Sequence, residues 1–125
     1  MACHCTGCQR MSSSAFSLSA AIPAEAFAVI DGDPVIGGLH GAAKHYFCAY
    51  CMSWMFTRPD CIDFFVNVRP TMLDDASWST PFIETFTKER LAWAKTPAIH
   101  SYETLPADDA YDGLIRECAA WLEGT

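Results

Sequence analysis

Five cysteines gathered into two short runs constrain this chain more than anything else in it. The first run is Cys3-His4-Cys5-Thr6-Gly7-Cys8 and the second is Cys48-Ala49-Tyr50-Cys51, while Cys61 and Cys118 stand apart. The total of seven is odd, and no basic stretch followed by an apolar segment opens the chain. A secreted disulfide framework is therefore disfavoured. In a reducing cytoplasm, clustered thiols are better explained by metal, and the expectation is a cytoplasmic protein built around one.

On an extended segment, residues i and i+2 point to the same face, so Cys3 and Cys5 can share an ion while His4 faces away. Cys8 then has to return through a tight turn, for which Gly7 can supply a positive φ. Three thiolates at about 2.3 Å leave a tetrahedral zinc ion one corner short, which is the catalytic rather than the structural pattern. The competing reading closes the tetrahedron with a histidine, from His4, His45 or His100. Thiolates favour zinc or copper(I) over magnesium or calcium. The pair Cys48 and Cys51 reads as a zinc half-site at the tip of a hairpin, in need of two further ligands. A thioredoxin-like pair would stand at the start of a helix, whereas Ser53-Trp54-Met55-Phe56-Thr57 reads as strand.

The rest of the chain is expected to be mainly β. Phe16, Leu18, Ala20 and Ile22 alternate with small or polar residues until Pro23, the period of a half-buried strand. Further strands are expected at Phe27 to Asp31, Lys44 to Phe47, Ser53 to Arg58, Ile62 to Arg69 and Phe82 to Thr87. Asp31-Gly32-Asp33-Pro34 is turn chemistry, and residues 37–41 read as a glycine-rich loop. Only the C-terminus changes period. Tyr111, Leu114, Ile115, Cys118, Trp121 and Leu122 recur at helical spacing, with Asp108 or Asp109 as cap and Gly124 as stop. On that stripe Cys118 is expected to be a buried small hydrophobe. Phe47, Trp54, Phe56, Phe64 and Phe65 are expected to be mostly core, with one or two lining a pocket.

A chain of 125 residues supports one core. Its net charge of −7, with no Lys/Arg cluster, argues against nucleic-acid binding. No apolar run is long enough to span a bilayer. Asp74-Asp75 and Asp108-Asp109 are adjacent carboxylates that point apart, so they read as turn and cap residues rather than an acid/base pair. Arg10 follows the first cluster closely enough to balance thiolate charge or to hold a carboxylate.

The runs Cys3-His4-Cys5-Thr6-Gly7-Cys8-Gln9-Arg10, Ser14-Ala15-Phe16, Ile22-Pro23-Ala24-Glu25-Ala26-Phe27, Phe47-Cys48-x-x-Cys51 and Pro81 to Trp93 resemble, in order, the glutathione-dependent formaldehyde-activating enzyme family, with which centromere-protein-V-like proteins group. The resemblance implies an Mss4-like antiparallel β domain, here residues 1–105, with residues 106–125 as a helical extension packed on it. It further implies an active-site zinc on Cys3, Cys5 and Cys8 and a structural zinc of which Cys48 and Cys51 form half. The family's other half is a C-x-C on an earlier strand, so a chain beginning at an internal methionine is expected. Dimerisation, or recruitment of Cys61 or His45, would be ways to complete that second site. The implied activity is carbon-sulfur lyase-type, joining formaldehyde and glutathione into S-hydroxymethylglutathione. The alternative is a non-catalytic zinc-stabilised interaction module or glutathione-binding module.

Overall fold

A computed structural model describes residues 1–39 and 41–125. Among these, nine strands form two sheets, and a helix closes the chain, so the mainly β expectation holds. The first sheet has the order β2-β1-β8-β9, built from β1 (Ala2–Cys3), β2 (Ser17–Leu18), β8 (Ile83–Thr85) and β9 (His100–Ser101). Its pairings are not all antiparallel: β1 runs antiparallel to β2, but β8 runs parallel to both β1 and β9. The second sheet is antiparallel throughout, in the order β3-β7-β6-β5-β4, with β3 (Ala20–Pro23), β4 (Val35–Gly37), β5 (Lys44–Phe47), β6 (Trp54–Arg58) and β7 (Phe65–Val68).

The alternating stretch read as a single strand is in fact divided between the two sheets. Ser19 is the crossover, and its N–H and carbonyl pair with the Met1 carbonyl (2.9 Å) and the Met1 amine (2.8 Å). Period two survives such a crossing, so the hydrophobic pattern alone could not reveal it. The strand expected at Phe27 to Asp31 does not form. Phe27 packs on Phe56 at 4.8 Å between ring centroids, but Ile30 is 95 % exposed and the segment has no ladder partner among the described residues. The glycine-rich loop expected at 37–41 includes residue 40, which lies outside the described residues; Gly37 itself ends β4.

The core lies on one face of the second sheet. Phe56, Val66 and Val68 are buried there, with Ile22, Ala24, Phe27, Tyr46 and Met55 packed around them. Register brings this about: Phe56 pairs with Val68 and Tyr46 with Phe56, so the Tyr46 and Phe56 rings stack at 4.7 Å. Thr57 and its strand partner His45 necessarily take the other face. A register shift at Tyr46/Phe47 then pairs Phe47 with Trp54. Phe64 is 71 % exposed, contrary to the core expectation, because it precedes β7 and has no facing strand.

The C-terminal helix α2 (Tyr111–Glu123) forms where the periodicity places it and stops at Gly124. Its N-cap is Ala110, without a side-chain bond, because Asp108 and Asp109 are spent in a preceding 3-10 turn. Only Leu114, Cys118 and Trp121 of the stripe are half-buried, and Trp121 meets Phe82 at 5.4 Å. Cys118 is thus less buried than expected. Among the described residues, no helix is long and apolar enough to cross a membrane.

Candidate metal centre

Cys3 ends β1, flanked by Ser17 on one side and Thr85 on the other. The chain stays extended through Cys5 (φ −61, ψ 151), which is the N-cap of α1 (Thr6–Ser12). The Cys5 Sγ accepts the Cys8 N–H at 3.3 Å, the role a serine or aspartate usually fills. The first helical turn therefore brings Cys8 back to Cys3 and Cys5. This corrects the expected mechanism, since the positive-φ glycines are Gly32 and Gly38, not Gly7. What Gly7 supplies is room, because a Cβ there would meet Leu39 Cδ1 at 3.0 Å. The three sulfurs lie within 4.8 Å of one another, and among the described residues no other group of three or more metal-binding side chains is as close. Sulfurs at 2.3 Å around a tetrahedral ion stand about 3.8 Å apart, so the donor set fits a thiophilic metal with small adjustment.

The electrostatics of the cluster are strongly shared. The Cys8 thiol donates to the Cys3 sulfur and, against the effect of burial, holds the Cys3 pKa well below the usual thiol range. The same bond, burial and the Cys3 charge push the Cys8 thiol up, and burial pushes Cys5 up.

His4 faces away from the sulfurs, as the alternation predicts, and is 0 % exposed. Its Nε2 lies 2.8 Å from Glu84 Oε2. Glu84 also accepts from Ser101 Oγ (2.6 Å), Thr96 Oγ1 (2.8 Å) and Arg90 Nη1 (3.3 Å). Burial alone would raise the Glu84 pKa, but the bonds from Ser101, His4 and Thr96 outweigh it and hold it low. On the outer side, Thr6 donates through its N–H (3.0 Å) and hydroxyl (2.9 Å) to Glu89 Oε1. Gln9 Nε2 ties the His4 carbonyl (2.8 Å) to the Glu89 carbonyl (3.0 Å). The cluster-bearing loop is thus pinned to β8 and the turn after it. Sequence reasoning missed Glu84, although a glutamate at the centre of an otherwise buried strand is a signal of a paired charge.

A cavity of about 460 Å³ opens beside the cluster. Ser12 and Ser17 join the two: both line the cavity, Ser12 Oγ donates to the Cys8 carbonyl at 2.7 Å, and Ser17 is the strand partner of Cys3. Phe47 and Trp54 line it too, which meets the expectation that one or two aromatics would do so. Its buried cation is Arg69, a residue the sequence did not single out. Arg10 is exposed, in the wall of a separate cavity with Leu91 and Trp93.

The remaining candidates lie elsewhere. Cys48 and Cys51 occupy the β5–β6 hairpin tip, as expected, closed by the Met52 N–H to the Cys48 carbonyl (2.8 Å) and the Cys48 N–H to the Ser53 carbonyl (2.9 Å). Cys51 is exposed, with its sulfur 3.2 Å from Ser53 Oγ. Cys61 is past the opposite end of β6, in an exposed turn, and does not join them. His45 is held by Thr57 (2.9 Å) and His100 by Glu117 (2.9 Å), so no described histidine completes the three-cysteine group. Asp75 Oδ1 caps its own turn through the Ser77 N–H (2.9 Å) and hydroxyl (2.6 Å).

No curated protein matches the chain. The sequence model of the glutathione-dependent formaldehyde-activating enzyme family matches residues 1–89, a span that holds both cysteine runs, Arg69 and Glu84. With a mainly β, Mss4-like fold and a pre-formed thiol cluster beside a cavity, the chain belongs to the glutathione-dependent formaldehyde-activating enzyme family.

Proposed function

We propose that the protein is a cytoplasmic, zinc-dependent carbon-sulfur lyase-type enzyme that joins formaldehyde and glutathione into S-hydroxymethylglutathione. The observation that carries this reading is the three-sulfur cluster with no fourth described protein ligand, adjoined through Ser12 and Ser17 by a cavity large enough for a small molecule. Zinc held there would lower the pKa of an incoming thiol and polarise a carbonyl oxygen.

Cys3, Cys5 and Cys8 act as ligands rather than nucleophiles. The strand and helix cap hold their sulfurs in place before metal arrives, so little reorganisation is needed on binding. The His4–Glu84 pair fixes the backbone between two of the ligands, and the Gln9 and Thr6 bonds fix the turn that carries the third. In the reaction the glutathione sulfur forms a bond to the formaldehyde carbon, and the thiol proton ends on the former carbonyl oxygen. Ser12 and Ser17 put hydroxyl groups at the boundary between the cluster and the cavity, where they can orient a polar substrate. Cys48 and Cys51 are proposed as half of a second, structural zinc site, with the other half supplied by groups outside the described pair, such as a second copy of the chain.

Cobalt replacing zinc makes the test direct. Glutathione should change the visible spectrum of the cobalt form, and the wild-type protein should speed the approach of formaldehyde and glutathione to equilibrium beyond the spontaneous rate. Cys8→Ser should remove both effects. A thiol-responsive spectrum without acceleration would instead support the non-catalytic glutathione-binding module. A spectrum indifferent to thiols would end the active-site reading.

A further inference from the structure

Taking a guanidinium out of water is costly unless an anion answers it. Arg69 is only 8 % exposed, and it takes part in none of the ion pairs formed among the described residues. Its partners are neutral: Nη1 donates to the Leu18 carbonyl (2.9 Å), Nη2 to Thr57 Oγ1 (3.0 Å), and the Trp54 ring covers it at 3.5 Å. Its Nε–H is buried without a hydrogen-bond partner among the described residues. The charge is nonetheless retained. Burial draws the Arg69 pKa down to about 10, opposed by the nearby Cys8 and Cys3 sulfurs, which leaves it cationic at neutral pH.

The support around Arg69 is specific. Thr57 Oγ1 accepts from Arg69 Nη2 and from Trp54 Nε1 (3.0 Å), two groups that can only donate. The Thr57 proton is then left for His45 Nδ1 at 2.9 Å, which must act as an acceptor. Burial and the Arg69 charge both lower the His45 pKa, in keeping with an unprotonated ring. The network therefore adds no second positive charge and no negative one. It holds a single cation, clamped by an aromatic ring and a hydroxyl, in the wall of the cavity that adjoins the thiol cluster.

We propose that Arg69 is a specificity-determining residue, the fixed cation of an anion subsite that receives a carboxylate of the thiol substrate while the substrate sulfur is engaged at the Cys3-Cys5-Cys8 centre. This rests on the thiol-binding reading above. A chain of net charge −7 repels an anionic peptide thiol in bulk, so recognition needs a local cation, and among the described residues Arg69 is the buried lysine or arginine side chain.

The test is calorimetric titration of the zinc-loaded full chain with glutathione and with glutathione diethyl ester, which keeps the thiol but lacks both carboxylate charges. The wild type should bind the acid about tenfold to a hundredfold more tightly than the ester. Arg69→Met should bring the two to near equality, and Arg69→Lys should restore part of the preference. Equal binding of acid and ester by the wild type would overturn the inference. So would an Arg69→Met variant that weakens both ligands by the same factor, because Arg69 would then serve only the charge of the sulfur cluster. If Arg69→Met fails to fold, the wild-type acid-to-ester ratio and its decline with salt still decide. Failure of both thiols to bind, with an unchanged cobalt spectrum, would overturn the thiol-binding reading and this inference with it.

Discussion

The two cysteine runs look like variations on one theme in sequence, and the fold treats them in opposite ways. Cys3, Cys5 and Cys8 lie between a buried strand and the first turn of a helix, braced by Glu84 on one side and Glu89 on the other. Cys48 and Cys51 sit on an exposed hairpin tip beside Tyr50, which is 98 % exposed. The first run has a third sulfur, a cavity and a buried cation next to it; the second has two thiols, one half-buried and one exposed. Spacing sets which thiols can meet. Burial and bracing set whether their meeting is maintained and can be used for chemistry.

The largest expected effect tests the contrast in metal binding. Cys8→Ser should lower zinc affinity at the cluster by at least about a hundredfold, since a thiolate is replaced by a poorer donor in a three-ligand site. Cys51→Ser should leave that affinity within a few-fold. Elemental analysis with a competing chelator measures both. A Cys51→Ser variant that loses the cluster metal would show that the two regions are one cooperative unit, and the contrast would be broken.

Bracing is tested next by Glu84→Gln. Removing the charge that faces buried His4 should destabilise the fold by about 2–4 kcal/mol at pH 7. The Glu84 pKa is lowered in the folded state, so its contribution is complete above the unfolded carboxylate value of 4.5 and is lost as pH falls through the folded value. The gap between wild type and variant in urea melts should therefore narrow below about pH 4. A gap that stayed constant with pH would mean that the carboxylate charge is not what braces the cluster.

Smaller effects sharpen the picture. With one zinc per chain, held at the three-cysteine cluster and leaving the hairpin tip metal-free, Cys51 should react with a maleimide at least about tenfold faster than Cys3, because one sulfur is exposed with its pKa lowered by Ser53, while the other is buried. Peptide mapping of a timed labelling reaction reads this directly. Smallest of all, Cys61→Ser should change stability by no more than about 0.5 kcal/mol and leave metal content unchanged, as an exposed side chain in neither region.

Much of this was legible in the residues. The C-x-C-x-x-C spacing brought three thiols together and turned His4 away, the alternation placed most strands of the second sheet, and helical periodicity placed α2. These are local properties, set by how neighbouring side chains point along one element. The crossing of one apparent strand between two sheets, the absence of a strand at Phe27 to Asp31, and the helix cap that returns Cys8 were not legible. Each depends on which distant segment supplies a backbone or side-chain partner. The same holds for Arg69 and Glu84. In sequence they are one arginine at the end of an expected strand and one glutamate within another, and nothing near them in the chain accounts for their burial. Only the packing of β1 against β8, and of the second sheet against the cavity, brings Glu84 to His4 and Arg69 beside the sulfurs. By itself the sequence determined which three thiols cluster and the β character, because both follow from short-range spacing. The tertiary structure alone decided which donors are braced and which cation lies beside them, because buried charge is matched through space and not along the chain.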